Sequence, residues 1–226
     1  MQQSEVLDNW QAPPFPPNHS IEGQYCILQP LDAAAHVDDL WQAYALDTDN
    51  TIWGYLPYGP FANKKDFYQH IDSRRDIENQ QYYAIVDRET QKAVGFIAYL
   101  RIQASAGSIE IGCLTFSPLL QKTRMATEAV YLLINNCIDL GYRRCEWKCN
   151  SLNEASKKSA ARFGFQYEGC FRQAMVVKGK NRDTCWYSII DKEWPQLKGA
   201  YHFWLEQDNF DQNGKQLKGL QHFIRS

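Results

Sequence analysis

The chain has 226 residues, 44% hydrophobic and 14% aromatic, with 22% charged and a formal net charge of −2. That size favours one well-buried core over two domains, and the balanced charge offers no basic field for nucleic acid. No basic, apolar leader opens the sequence and no apolar run of ~18 residues follows, which reads as a cytoplasmic protein with no membrane partner. Its seven cysteines are odd in number and scattered, suiting reduced core thiols better than disulfides. Cys145 and Cys149 share a strand face but have no histidine nearby in sequence, so no metal is expected.

In chain order, residues 1–20 hold four of the nine prolines and little periodicity, and are expected to form an extended arm. A strand from Gln24 ends at Pro30, and Asp32 then caps a helix in which Val37, Leu40, Trp41 and Tyr44 recur at helical spacing. Residues 46–61 are rich in Gly, Pro and aromatics and read as a loop, followed by a helix over 64–77. Two strands joined by a turn at Arg88–Lys92 and a third over 108–116 predict an antiparallel meander. A helix from about Arg124 to Leu140 stops at Gly141, a strand follows over 143–150, and Asn153 caps a helix running from Glu154 to about Phe163. Two more strands flank a turn at Lys178–Arg182, and an amphipathic helix after Pro195 leads into a tail. Such alternation indicates an α/β (α+β) domain over 21–195, with residues 196–226 a helical extension packed on it. Asn209, Asp211, Asn213 and Gly214 imitate a calcium loop, but Leu220 stands where a bidentate Glu is needed.

The loop Gln121-Lys122-Thr123-Arg124-Met125-Ala126 opens a helix, where free backbone N–H groups and the positive end of the dipole suit phosphate oxygens. Glu110 stands between Ile109 and Ile111 on a strand, so alternation sets it on one face with Gly112 and Leu114. A carboxylate on a half-buried strand suits a general base for an ammonium, although a solvent-facing strand glutamate has the same pattern. Asn150, Asn153 and Ser156 cluster where the next strand meets a helix, a position that capping alone also explains for Asn153. Trp53, Tyr55, Tyr58 and Phe61 could wall a slot for an amine or simply pin their own loop.

The order of these pieces resembles the acyl-CoA site of GNAT N-acetyltransferases over roughly Gln24 to Trp194. Gln121 and Ala126 match the family's Q/R-x-x-G-x-G/A loop while Arg124 replaces its first Gly. Ala126-Thr127-Glu128-Ala129, with Asn153, Ser156 and Gly164-Phe165, resembles the ribosomal-protein-alanine acetyltransferase (RimJ/RimL-like) subgroup. The resemblance implies the GNAT fold, a mixed, mostly antiparallel sheet flanked by helices with splayed central strands. It further implies acetyl-CoA as cosubstrate and an amine acceptor, either a protein N-terminus or a small molecule, on a monomer or homodimer. Backbone from Cys113 through Leu114 and Thr115 to Phe116 would pair with the pantetheine arm, and a main-chain N–H near Leu114 would hold the oxyanion. Residues Gln121 to Thr127 would hold the diphosphate, and Asn150, Asn153 and Ser156 would line the arm. Arg124 must then be right-handed or strained. Where many relatives place a tyrosine acid this chain has Ala160, leaving Ser156 or water to protonate the thiolate. Three other readings stay open: acyl transfer through Cys113 or Cys149, a CoA-binding sensor or interaction protein that has lost its chemistry, and an aminoacyl-transferase or user of another acyl donor on the same fold.

Overall fold

The computed structural model describes residues 6–225. Eight strands form one sheet in the order β1-β2-β3-β4-β5-β6-β8-β7. They are β1 (Ile21–Glu22), β2 (Cys26–Pro30), β3 (Gln81–Asp87), β4 (Ala93–Gln103), β5 (Ser108–Phe116), β6 (Arg144–Asn150), β7 (Gln166–Val177) and β8 (Lys180–Ile190). Every pairing is antiparallel except β5 with β6. A parallel pair needs a long crossover, here supplied by helix α3 (Arg124–Asp139). The other helices are α1 (Ala33–Tyr44), α2 (Lys64–Asp72), α4 (Glu154–Arg162), α5 (Trp194–Leu205) and α6 (Leu220–Ile224).

Local signals fix the helix ends. Asp32 accepts from Ala35 N to cap α1, Thr123 accepts from Ala126 N to cap α3, and Gly141 leaves α3 at φ +100°. Helix α2 ends at Asp72, short of the predicted Ile77, where the chain tightens into i→i−3 bonds from Arg74 N–H to Ile71 O and from Arg75 N–H to Asp72 O. The β7–β8 turn is tighter than the sequence suggests, with only Lys178 and Gly179 between the strands.

Two cores result from period-2 alternation. On one face, Ile109, Ile111, Cys145, Trp147 and Ile189 pack with Ala129, Val130 and Leu133 of α3 and Tyr201 and Trp204 of α5. On the other, Tyr82, Ala84, Phe96 and Ala98 pack under Val37 and Leu40 of α1 and Phe67 and Ile71 of α2. This second core stops at β5. Beyond it the same face carries Glu110, Glu146, Lys148, Trp186 and Ser188, a charged surface over β5, β6 and β8.

The first and last described segments both pack on the sheet and its helices. Tyr142 Oη donates to Pro14 O at 3.1 Å and Gln81 Nε2 to Pro17 O at 3.2 Å, tying the arm across the sheet end. Tyr201, Trp204, Leu205 and Leu220 are part of the first core. All seven cysteines are free thiols. Among the described residues no helix is long and apolar enough to cross a membrane, and no His/Cys/Asp/Glu group is arranged to hold a metal ion.

Candidate active site

The central strands separate where the sequence resemblance implies. β5 pairs with β6 only from Ser108↔Arg144 to Ile111↔Trp147, after which β6 continues along β8 and β5 continues along β4. Gly112 to Phe116 therefore have an edge with no strand on it, and unpaired edge groups are a template for an extended ligand. Cys113, Thr115 and Phe116 all stand on that edge.

Alternation fails within this segment. Cys113 has φ +51°, and the register with β4 slips between Ala98↔Gly112 and Phe96↔Thr115, the mark of a β-bulge. Gly112 and Cys113 consequently share a face, Cys113 joining the second core while Leu114 and Phe116 pack against the first. The expectation that Leu114 lies beside Glu110 is thus corrected: the extra residue turns its side chain to the opposite face.

Glu110 is 7% exposed, and its surroundings are ionic rather than apolar. Arg101 Nε donates to its Oε2 at 2.8 Å and Lys148 Nζ reaches the same oxygen at 2.9 Å. Glu146, directly opposite on β6, is bridged to it by Arg101 Nη2 and held also by Arg144 Nε at 2.9 Å. Two carboxylates side by side on a sheet repel, and Arg101 answers by leaving the ladder at φ +46° and folding back over both. Arg101 and Lys148 also cover the Trp186 ring, at 4.7 and 4.0 Å from its centroid. Burial depresses the Lys148 ammonium, with Glu110 opposing that fall. Because both cations grip Oε2, Oε1 is turned toward Gly112, 3.4 Å from where a Cβ on that residue would stand.

The loop after β5 opens α3 as a phosphate-binding turn would. Gln121 Nε2 donates to Phe116 O, and Lys122 takes the left-handed conformation at φ +61°. Arg124 is the first residue of α3, so the family's glycine is replaced without left-handed strain. Its guanidinium stacks on Tyr25 at 4.1 Å and Phe210 at 5.5 Å, joining the loop to the turn before β2 and to the segment after α5. The Thr123 hydroxyl satisfies Ala126 N–H, while the N–H groups of Lys122, Arg124 and Met125 meet no acceptor among the described residues. Thr127 turns inward, 2% exposed, its hydroxyl taking a hydrogen bond from Arg162. Glu128, noted in the sequence only as part of a motif, accepts from Gln24, Tyr25 and Cys26 N–H at 2.6 to 2.8 Å and fastens α3 to β2.

At the end of β6, Asn150 Oδ1 accepts from Leu152 N and Asn153 Oδ1 from Ser156 N, both local turn bonds. The Ser156 hydroxyl accepts from Trp147 Nε1 at 3.1 Å, which orients it beside the last rung of the β5–β6 pair. Ala160 is fully buried, and burial raises the Cys149 thiol, the nearby Ser156 hydroxyl opposing.

The aromatic loop divides. Trp53 and Phe61 pack into the second core, Tyr58 Oη meets Thr115 Oγ1 at 3.0 Å, and Tyr55 is exposed with its hydroxyl on Leu152 O. Lys178 Nζ gathers the carbonyls of Trp53, Tyr58 and Gly59 at 2.7 to 3.1 Å, locking the loop to the β7–β8 turn. A cavity of about 250 Å3 lies behind this loop among Trp41, Tyr44, Trp53, Phe61 and Phe67. Glu110 and the α3 turn do not line it, so it is separate from the strand gap.

Comparison with known proteins accords with this geometry. The acetyltransferase (GNAT) domain family matches residues 26–166. A GCN5-related N-acetyltransferase from Brucella melitensis is 41% identical, with a TM-score of 0.95, covering 97% of this chain and all of that one. A probable acetyltransferase of the GNAT family from Chromobacterium violaceum is 42% identical, with a TM-score of 0.81, over 86% of this chain and 98% of that one. The Salmonella typhimurium acetyltransferase that modifies the N-terminal serine of ribosomal protein L7/L12 shares the fold at 21% identity and a TM-score of 0.65, over 76% of this chain and 99% of that one. No curated protein matches the chain. A sheet opened at one parallel pair, a free helix N-terminus beside the opening and a family match spanning both place this chain in the GNAT acetyltransferase family.

Proposed function

We propose that the protein transfers an acetyl group from acetyl-CoA to a primary amine by direct attack in a ternary complex. The observation that carries this reading is the end of β5–β6 pairing at Ile111↔Trp147, one residue beyond Glu110 and beside Ser156. When bound, acetyl-CoA supplies the activated thioester. The N–H groups of Lys122, Arg124 and Met125 suit its diphosphate, and the open edge of β5 from Cys113 to Phe116 suits the amides of its pantetheine arm.

Glu110 Oε1 takes the proton of the acceptor ammonium. The freed lone pair forms the C–N bond at the carbonyl carbon, the C–S bond breaks, and the second proton lost by the nitrogen passes through water or the Ser156 hydroxyl to the departing sulfur, leaving a neutral amide and a thiol. The N–H near Leu114 would meet the charge that develops on the carbonyl oxygen. Direct attack is favoured over a thiol acyl-enzyme because burial raises both Cys113 and Cys149, disfavouring their thiolates.

Incubating purified protein with acetyl-CoA and a panel of peptides, polyamines and amino acids, and reading thiol release, tests the proposal. Acceptor-dependent release is expected. Tight CoA binding with no acceptor turned over would instead indicate a sensor that keeps the cofactor site without the chemistry.

A further inference from the structure

We propose that the acceptor carries a carboxylate as well as the reacting amine, and that Arg74 is the residue that recognises it. This names the acceptor class for the site described above and rests on the acetyl-transfer reading.

Arg74 follows the end of α2, its guanidinium 5.2 Å from the centroid of the Tyr58 ring and 5.7 Å from that of Tyr82. Its Nη2 lies 3.3 Å from His70 Nδ1, and its Nε is buried with no acceptor, as is His70 Nε2. Among the described residues no carboxylate pairs with it, whereas its neighbour Arg75 is paired with Asp32 at 2.6 Å. The cations on the adjoining sheet face are likewise matched: Arg101 and Lys148 by Glu110, and Arg144 by Glu146 and Glu168. A guanidinium stays protonated, and holding it half-buried without a counter-ion costs free energy that tyrosine faces offset only in part. Its planar fork is suited to a carboxylate.

The position relative to Glu110 sets the size of the ligand. Tyr82, Ala98 and Gly112 form one rung across β3, β4 and β5, on the face that carries Glu110. Tyr82 Oη reaches within 3.8 Å of Cys113 Sγ, so the Arg74 cluster abuts the bulge toward which Glu110 Oε1 is turned. Strands lie ~4.8 Å apart, giving about 10 Å from β3 to β5, a span that an amino acid or the end of a short peptide bridges. Burial and the Arg74 charge bring the His70 imidazole down to about 4, so it adds no second cation.

The test is a matched panel of amino acids and their carboxamides, with peptides carrying Asp or Asn at the second position, assayed by thiol release on wild type, Arg74→Gln and Arg74→Lys. We expect kcat/KM for the preferred acid to exceed that for its amide by at least about 10-fold in the wild type. That ratio should fall to near one in Arg74→Gln and partly recover in Arg74→Lys. Free acids preferred over peptides identify an amino acid; a preference for Asp over Asn identifies an acidic side chain near a peptide end. Calorimetry of the N-acetylated acids and amides on the CoA complex gives the same comparison without turnover. Equal handling of acid and amide by the wild type, or an unaltered ratio in Arg74→Gln, overturns the assignment. If the calorimetric preference is present but no amine releases thiol, Arg74 recognition stands and the acetyl-transfer reading fails.

Discussion

Residues Ser108–Ile111 of β5 are flanked by strands on both edges, while Gly112–Phe116 of the same strand have β4 alone. The first half alternates cleanly, sending Ile109 and Ile111 into the core and Glu110 to the ionic face. The second half begins with a glycine, breaks alternation at Cys113 and leaves one edge of its main chain unpaired. One strand thus serves as scaffold and then as binding edge, and Glu110 is held on the scaffold side of the divide. Changes that loosen the scaffold should cost stability, and changes at the divide should cost rate.

The largest effect is expected from Glu128→Ala, which strips three N–H groups of the β1–β2 turn of their acceptor. Thermal unfolding should show a loss of about 3–5 kcal/mol, with activity per folded molecule retained at low temperature. Glu110→Gln tests the other side: kcat should drop about 10²-fold or more with CoA affinity nearly intact, and an unchanged rate would remove Glu110 as base. Gly112→Ala sharpens the contrast, since its Cβ would stand 2.6 Å from Leu100 Cδ1 and 3.4 Å from Glu110 Oε1. Steady-state kinetics should show kcat lowered by roughly 10-fold, alongside a stability loss of about 1–3 kcal/mol from overpacking. Ser156→Ala leaves Trp147 Nε1 without its acceptor, so denaturant melts should shift by about 1 kcal/mol. A kcat decrease under 10-fold in the same variant would assign thiolate protonation to water.

A pH dependence is expected on the covered side of the sheet. His70 is brought down to about 4 by burial and by Arg74, so between pH 6.5 and 4 the unfolded chain binds the proton that the folded chain refuses. Stability therefore falls on acidification through that window. Melting temperatures across it should decline more steeply in wild type than in His70→Asn.

Much of this architecture is written locally in the sequence. Asp32, Thr123 and Asn153 each cap the helix that follows them, Gly141 stops α3, and the apolar alternation of residues 81–116 yields the meander. The gap between β5 and β6 and the position of Arg124 followed from resemblance. What stayed hidden depends on register between distant segments. Nothing near Glu110 announces that Glu146 will face it, or that Arg101 will leave its ladder to bridge them. The Cys113 bulge that turns Leu114 away is a one-residue slip against β4, and neither residue type signals it. Glu128 looked like one letter of a motif because its partners lie over a hundred positions earlier. Arg74 carries no local signal, because its meaning lies in a missing carboxylate that shows only once its neighbours are in place.

Amide hydrogen exchange with and without CoA probes the divided strand most directly. Slowed exchange confined to Cys113–Phe116 and Lys122–Met125, with Ser108–Ile111 unaltered, is the outcome expected of a ligand laid along the open edge and held at the α3 turn. Exchange unaffected by CoA in both segments would contradict the account.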